Sequence, residues 1–134
     1  MSEVLAQLEK KGGGDLKETI LWSNPTPTSN FAGGYGTDFS ESIESFKYIK
    51  IYFRISTSNA TEGSVIYEKD VFKTLTGATT TGLCGSMFSR VGSNNYFRRI
   101  TYTSDTNMMF YDAVQVGSAS SNSYLIPLKV CGLK

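Results

Sequence analysis

Phe46-Lys47-Tyr48-Ile49-Lys50-Ile51-Tyr52-Phe53-Arg54-Ile55 decides the fold of this chain. Ile49, Ile51, Phe53 and Ile55 fall on one side of an extended backbone, and Tyr48, Lys50, Tyr52 and Arg54 on the other. Alternation with period two, carried by β-branched and aromatic residues, is the pattern of a half-buried strand. One face must then pack on a second layer.

The same reading extends outward. Further strands are predicted at 64–72, 85–91, 96–103, 108–116 and 124–131, with a strand end at Thr19-Ile20-Leu21-Trp22. Between them lie turn-forming pairs and clusters: Ser58-Asn59, Thr76-Gly77, Gly92-Ser93-Asn94-Asn95, Ser104-Asp105-Thr106-Asn107 and the polar run 117–122. Seven or eight antiparallel strands at regular spacing predict an all-β, single-domain β-sandwich or jelly-roll-like fold over residues 15–134. Pro127 inside the last strand predicts an edge or bulge there, because proline cannot donate to a ladder.

The first fourteen residues read differently. Ser2 can cap a short helix, Val4, Leu5 and Leu8 share one of its faces, and Gly12-Gly13-Gly14 follows as a tether. A helix this short is unstable alone in water. Residues 1–14 are therefore predicted to be a helical arm that docks on another subunit through Val4, Leu5 and Leu8. The alternative is a terminus that folds back on its own domain or stays unfolded.

Between arm and strands, Leu21-Trp22-Ser23-Asn24-Pro25-Thr26-Pro27-Thr28-Ser29-Asn30-Phe31 holds the single tryptophan and two of the three prolines. Each proline fixes its own φ and pushes the preceding residue into extended geometry, so this is a strand followed by an irregular connection. Trp22 reads as a core or inter-sheet anchor rather than a ligand platform. The segment resembles the opening of small β-domains in bacteriophage tail and other virion proteins, where a Leu-Trp-x-Asn-Pro-x-Pro-Thr-Ser-x-Phe stretch begins the domain. Beyond residues 21–31 the resemblance is confined to the strand pattern. It implies a virion structural protein of the tail fibre, baseplate or capsid-surface type. It also implies other virion proteins as partners, and a homo-oligomer, since fibres and spikes commonly trimerise.

Composition limits the chemistry. The 134 residues carry 13 Lys and Arg against 12 Asp and Glu, a formal charge of +1, which gives no reason to expect nucleic acid as a partner. No apolar stretch approaches the ~20 residues of a membrane span, so no membrane insertion is expected. Met1-Ser2-Glu3 has no basic, apolar leader, so synthesis in a cytoplasm is the expectation, and the resemblance implies that of a bacterial host, with the protein in the virion. Histidine is absent, which rules out Ser-His-Asp and Cys-His nucleophiles and histidine-ligated metals. The two cysteines, Cys84 and Cys131, are expected to be reduced.

The remaining constellations are weak. Gly33-Gly34-Tyr35-Gly36 lacks the flanking pattern of a phosphate loop. Asp38, Glu41 and Glu44 read as a solvated turn rather than the acid pair of a glycosidase. Asp105 and Asp112 lack the surrounding oxygen ligands of a calcium loop. The chain is accordingly expected to be no enzyme and to hold no cofactor or metal.

Two surface features suggest contact. Tyr48 and Tyr52 on the outward strand face suit a subunit interface or a host-surface glycan, although they could equally just cover the sheet. Arg90, Arg98 and Arg99 bracket the 92–95 turn and could grip an acidic neighbour, or simply solvate a hairpin. Tyr48, Tyr52, Arg98 and Arg99 are the candidate surface contacts. A carbohydrate- or receptor-binding module is the competing function.

Overall fold

A computed structural model describes residues 17–77, 83–118 and 120–134. The docking arm, with Val4, Leu5 and Leu8, lies outside these residues. The described chain forms two four-stranded antiparallel sheets. The strands are β1 (Glu18–Ser23), β2 (Tyr35–Asp38), β3 (Tyr48–Ser56), β4 (Glu62–Glu68), β5 (Gly85–Val91), β6 (Asn94–Ser104), β7 (Asn107–Gln115) and β8 (Tyr124–Leu133), with a single helical turn, α1, at Lys69–Phe72. Sheet order is β1-β8-β3-β4 in one layer and β2-β7-β6-β5 in the other. Pairing first strand with last and second with next-to-last winds the chain across both layers in the jelly-roll manner, whereas β5, β6 and β7 form a plain meander.

The decisive stretch behaves as its alternation requires. Ile49, Ile51 and Phe53 of β3 face the other sheet and are buried, and Tyr48, Lys50 and Tyr52 face outward. They meet Met87, Ile100, Met108 and Phe110 from the opposite layer in one core cluster. Ile43, Phe46, Phe72 and Leu75 join the same core from the connections beside β3 and β4.

Aromatic rings cover glycines on neighbouring strands. Phe53 stands opposite Gly63, and a Cβ built at Gly132 would lie 2.5 Å from the Phe46 ring. These glycines are there so that a ring can lie flat on a strand.

Predicted strand 64–72 divides: β4 ends at Glu68, and the backbone turns into α1, which buries Phe72. The four-residue β2 has no strand pattern of its own, because Gly36 and the preceding Gly33-Gly34 read as a loop. Pro127 sits at a bulge. The β3–β8 register jumps from Tyr52↔Lys129 to Phe53↔Pro127, so Leu128 is the extra residue. β8 is an inner strand, but β1 pairs with it only over Lys129 to Leu133. At Pro127 that flank is met by Asn24, whose side-chain amide donates to the Pro127 carbonyl at 2.8 Å.

Candidate functional site

The irregular connection after β1 borders a cleft. Asn24 anchors its start: the side-chain oxygen accepts the Thr26 N–H at 2.8 Å while the amide holds Pro127. Asn24 thus makes an Asx turn that tolerates Pro25 next to it. Trp22 packs on Phe31 and Phe110 with ring centroids 6.2 and 5.7 Å away, and Phe31 meets Phe110 edge-on at 5.7 Å. The predicted inter-sheet anchor is thus a three-ring cluster joining β1, the connection and β7. Outside it opens a cleft of about 400 Å³ lined by Trp22, Asn24, Pro25, Thr26, Asn30 and Phe31. That size falls in the range of small-ligand pockets. Its aromatic wall and amide rim suit a neutral, hydroxyl-rich molecule better than a charged one.

Arg98 corrects an expectation. It is fully buried and cannot be a surface contact. Strand parity explains this: Tyr96, Arg98 and Ile100 share the inward face of β6, and Arg99 faces out. The guanidinium donates to four backbone carbonyls: Leu125 at 2.9 Å, Phe31 at 2.9 Å, Tyr111 at 2.7 Å and Tyr124 at 3.1 Å. It also lies 5.1 Å over the Phe31 ring. These carbonyls come from the connection, β7 and β8, so one side chain pins three segments to β6. Leu125 has φ of 50°, a left-handed backbone that is costly for a leucine, and its carbonyl is one of those held. Burial pulls the Arg98 guanidinium down to about 10, with the Asp112 charge pulling the other way. It remains a cation at neutral pH.

Arg99 lies outward with its guanidinium carbon 5.4 Å over the Tyr111 ring. Arg90 is opposite Asn95 and Arg99 opposite Ser86, towards the two ends of the β5–β6 hairpin. The three arginines do not cluster.

Tyr48 and Tyr52 do share the outer face of the first sheet, half-buried, beside Ile66, Cys131 and Leu133. The Tyr52 ring has the ammonium groups of Lys50 and Lys129 at 4.6 and 4.7 Å, and its hydroxyl donates to Glu18. Burial, then the Glu18 carboxylate, pushes that hydroxyl's pKa upward. The ring is fenced by two cations and is no open platform. Cys131, buried beneath this face, is a free thiol pushed up to about 11 mainly by burial; Cys84 is free and half-buried.

Four carboxylates are engaged in structural contacts. Glu44, on the 3-10 turn Ile43–Ser45, pairs with Lys73 at 2.6 Å and Lys69 at 3.1 Å. Lys73 first, then Lys69, holds its carboxyl down at about 2. Asp105 accepts from the Tyr102 hydroxyl at 2.6 Å and pairs with Lys73 at 3.3 Å. Asp38 accepts from Asn107 at 2.8 Å. Asp112 accepts from the Gly33 N–H at 2.6 Å and from Asn122 at 3.0 Å, which lowers its pKa. Gly33 and Gly34 are therefore a turn clamped to β7, the latter with φ of 88°. Among the described residues no group of three or more His, Cys, Asp or Glu is placed to hold a metal.

Compared with known proteins, the chain matches no family model and no curated protein.

Proposed function

We propose that the chain is a non-enzymatic structural subunit of a bacteriophage or phage-tail-like particle. It is a β-sandwich attached through residues 1–14 to other virion proteins, on a fibre or baseplate or on the capsid surface. The observation that carries this reading is the 21–31 segment, which resembles virion domain openings and here serves as the joint between the sheets. The titratable side chains described above support it, since they are engaged in structural contacts. The test is to purify particles from a lysate of the strain carrying the gene, by density gradient, and quantify this chain by mass spectrometry. A fixed copy number per particle supports the proposal; recovery only in the soluble fraction contradicts it.

A second reading, a carbohydrate- or receptor-binding module, is favoured by the cleft beside Trp22. Binding of the purified chain on a glycan array, lost in Asn30→Ala, supports this reading. Binding unchanged in that variant would place recognition elsewhere.

A further inference from the structure

The sandwich has four edge strands: β1, β4, β2 and β5. An edge exposes unpaired N–H and C=O groups, and proteins guard such edges with bulges, charges, proline or shortness. Among the described residues β5 carries the fewest such guards. β1 breaks register between Ile20 and Trp22, β2 is four residues long, and β4 is bracketed by Glu62 and Glu68. β5 runs seven residues in unbroken register, with no proline and Arg90 as its one ionisable group.

β5 also carries Phe88, outward and 57 % exposed. Phe88 continues across the sheet into Phe97 and Val114, its successive cross-strand neighbours on the same face. The hairpin fixes which backbone groups are free. The Ser86 N–H points away from β6, to the Tyr67 hydroxyl at 3.2 Å. By the alternation of an antiparallel ladder, the amides of Phe88 and Arg90 point to the same open side.

We propose that β5 pairs antiparallel with β5 of a second copy of this chain, making one continuous eight-stranded sheet. Like-with-like pairing about a two-fold axis is self-complementary here. With Ser86 occupied by Tyr67, the available pairs are Phe88 with Arg90 of the partner subunit, twice. Each is a hydrogen-bonded pair, and each sets a guanidinium beside an aromatic ring, a favourable cross-strand match. Sliding one step to oppose Arg90 with its own copy would set like charges face to face. The pairing also joins the two Phe88–Phe97–Val114 stripes. It rests on the β5 edge alone and would hold for a chain of any function.

Sedimentation velocity of the full chain over a concentration series tests it, with circular dichroism to confirm each variant is folded. The wild type is expected as a dimer. Phe88→Lys, at an exposed position, sets two cations opposite each other and weakens the dimer at least about tenfold. The double variant Phe88→Lys with Arg90→Glu restores an opposite pair and regains the dimer. A wild type that stays monomeric overturns the proposal. So does an oligomer indifferent to Phe88→Lys, which would point to the arm, or a double variant that stays dissociated.

Discussion

Arg98 is the residue on which most of the inter-segment geometry converges. Its four acceptors are backbone carbonyls of the connection, β7 and β8. Arg98→Met keeps the volume and orphans all four, so a loss of about 3–5 kcal/mol is expected by urea denaturation. Arg98→Lys keeps the charge but loses the planar fork and should fall between the two. A loss under about 1 kcal/mol for Arg98→Met would show that the carbonyls find other donors. The two cysteines differ in the same way. Cys131 is buried with a raised thiol pKa, so in the native protein Cys84 should take up a maleimide first, with Cys131 reacting only on unfolding. Mass spectrometry of the labelled protein reads the order.

At the scale of elements, strands with uninterrupted alternation were legible from the sequence and those built of exceptions were not. β3 stands close to where its alternation puts it; β5 occupies the predicted 85–91, although adjacent Met87 and Phe88 break the apolar alternation in its sequence. β2 was hidden by Gly33, Gly34 and Gly36, which carry no side chain to alternate. α1 falls inside the predicted strand 64–72, where the polar run Glu68-Lys69-Asp70 between Tyr67 and Val71 marks the turn from strand to helix. Arg98 and Arg99 both flank the 92–95 turn, but strand parity with Tyr96 and Ile100 puts them on opposite faces. The joint at Trp22 was readable from its prolines; the cleft beside it depends on chain crossing and was not.

Glycines under rings make a further element-scale prediction. Gly132→Ala drives a methyl into Phe46 and should cost about 1–3 kcal/mol. Thermal unfolding checks it, and combining the change with Phe46→Leu should recover part of the loss. The clasp of Glu44, Lys69, Lys73 and Asp105 gives a pH dependence. The folded-state pKa of Glu44 lies at about 2, below its ordinary 4.5. Its contribution is therefore complete above about 4.5 and fades as pH falls towards 2. Melting temperature should drop across that window, and Glu44→Gln should flatten part of the drop. An unchanged slope in Glu44→Gln would assign the loss to other carboxylates, Asp112 first.

The described residues form an open two-sheet sandwich in which Arg98, Glu44, Asp105 and Asp112 are engaged in holding segments together. Ile20, Val71, Leu83, Phe88 and Val116 remain exposed on its surface, as does the Trp22 cleft. The most direct measurement compares full-length chain with chain lacking residues 1–14, supplied in trans during particle assembly. The truncated chain should melt as cooperatively as the full one yet be missing from purified particles. Incorporation of the truncated chain at full copy number would contradict the account.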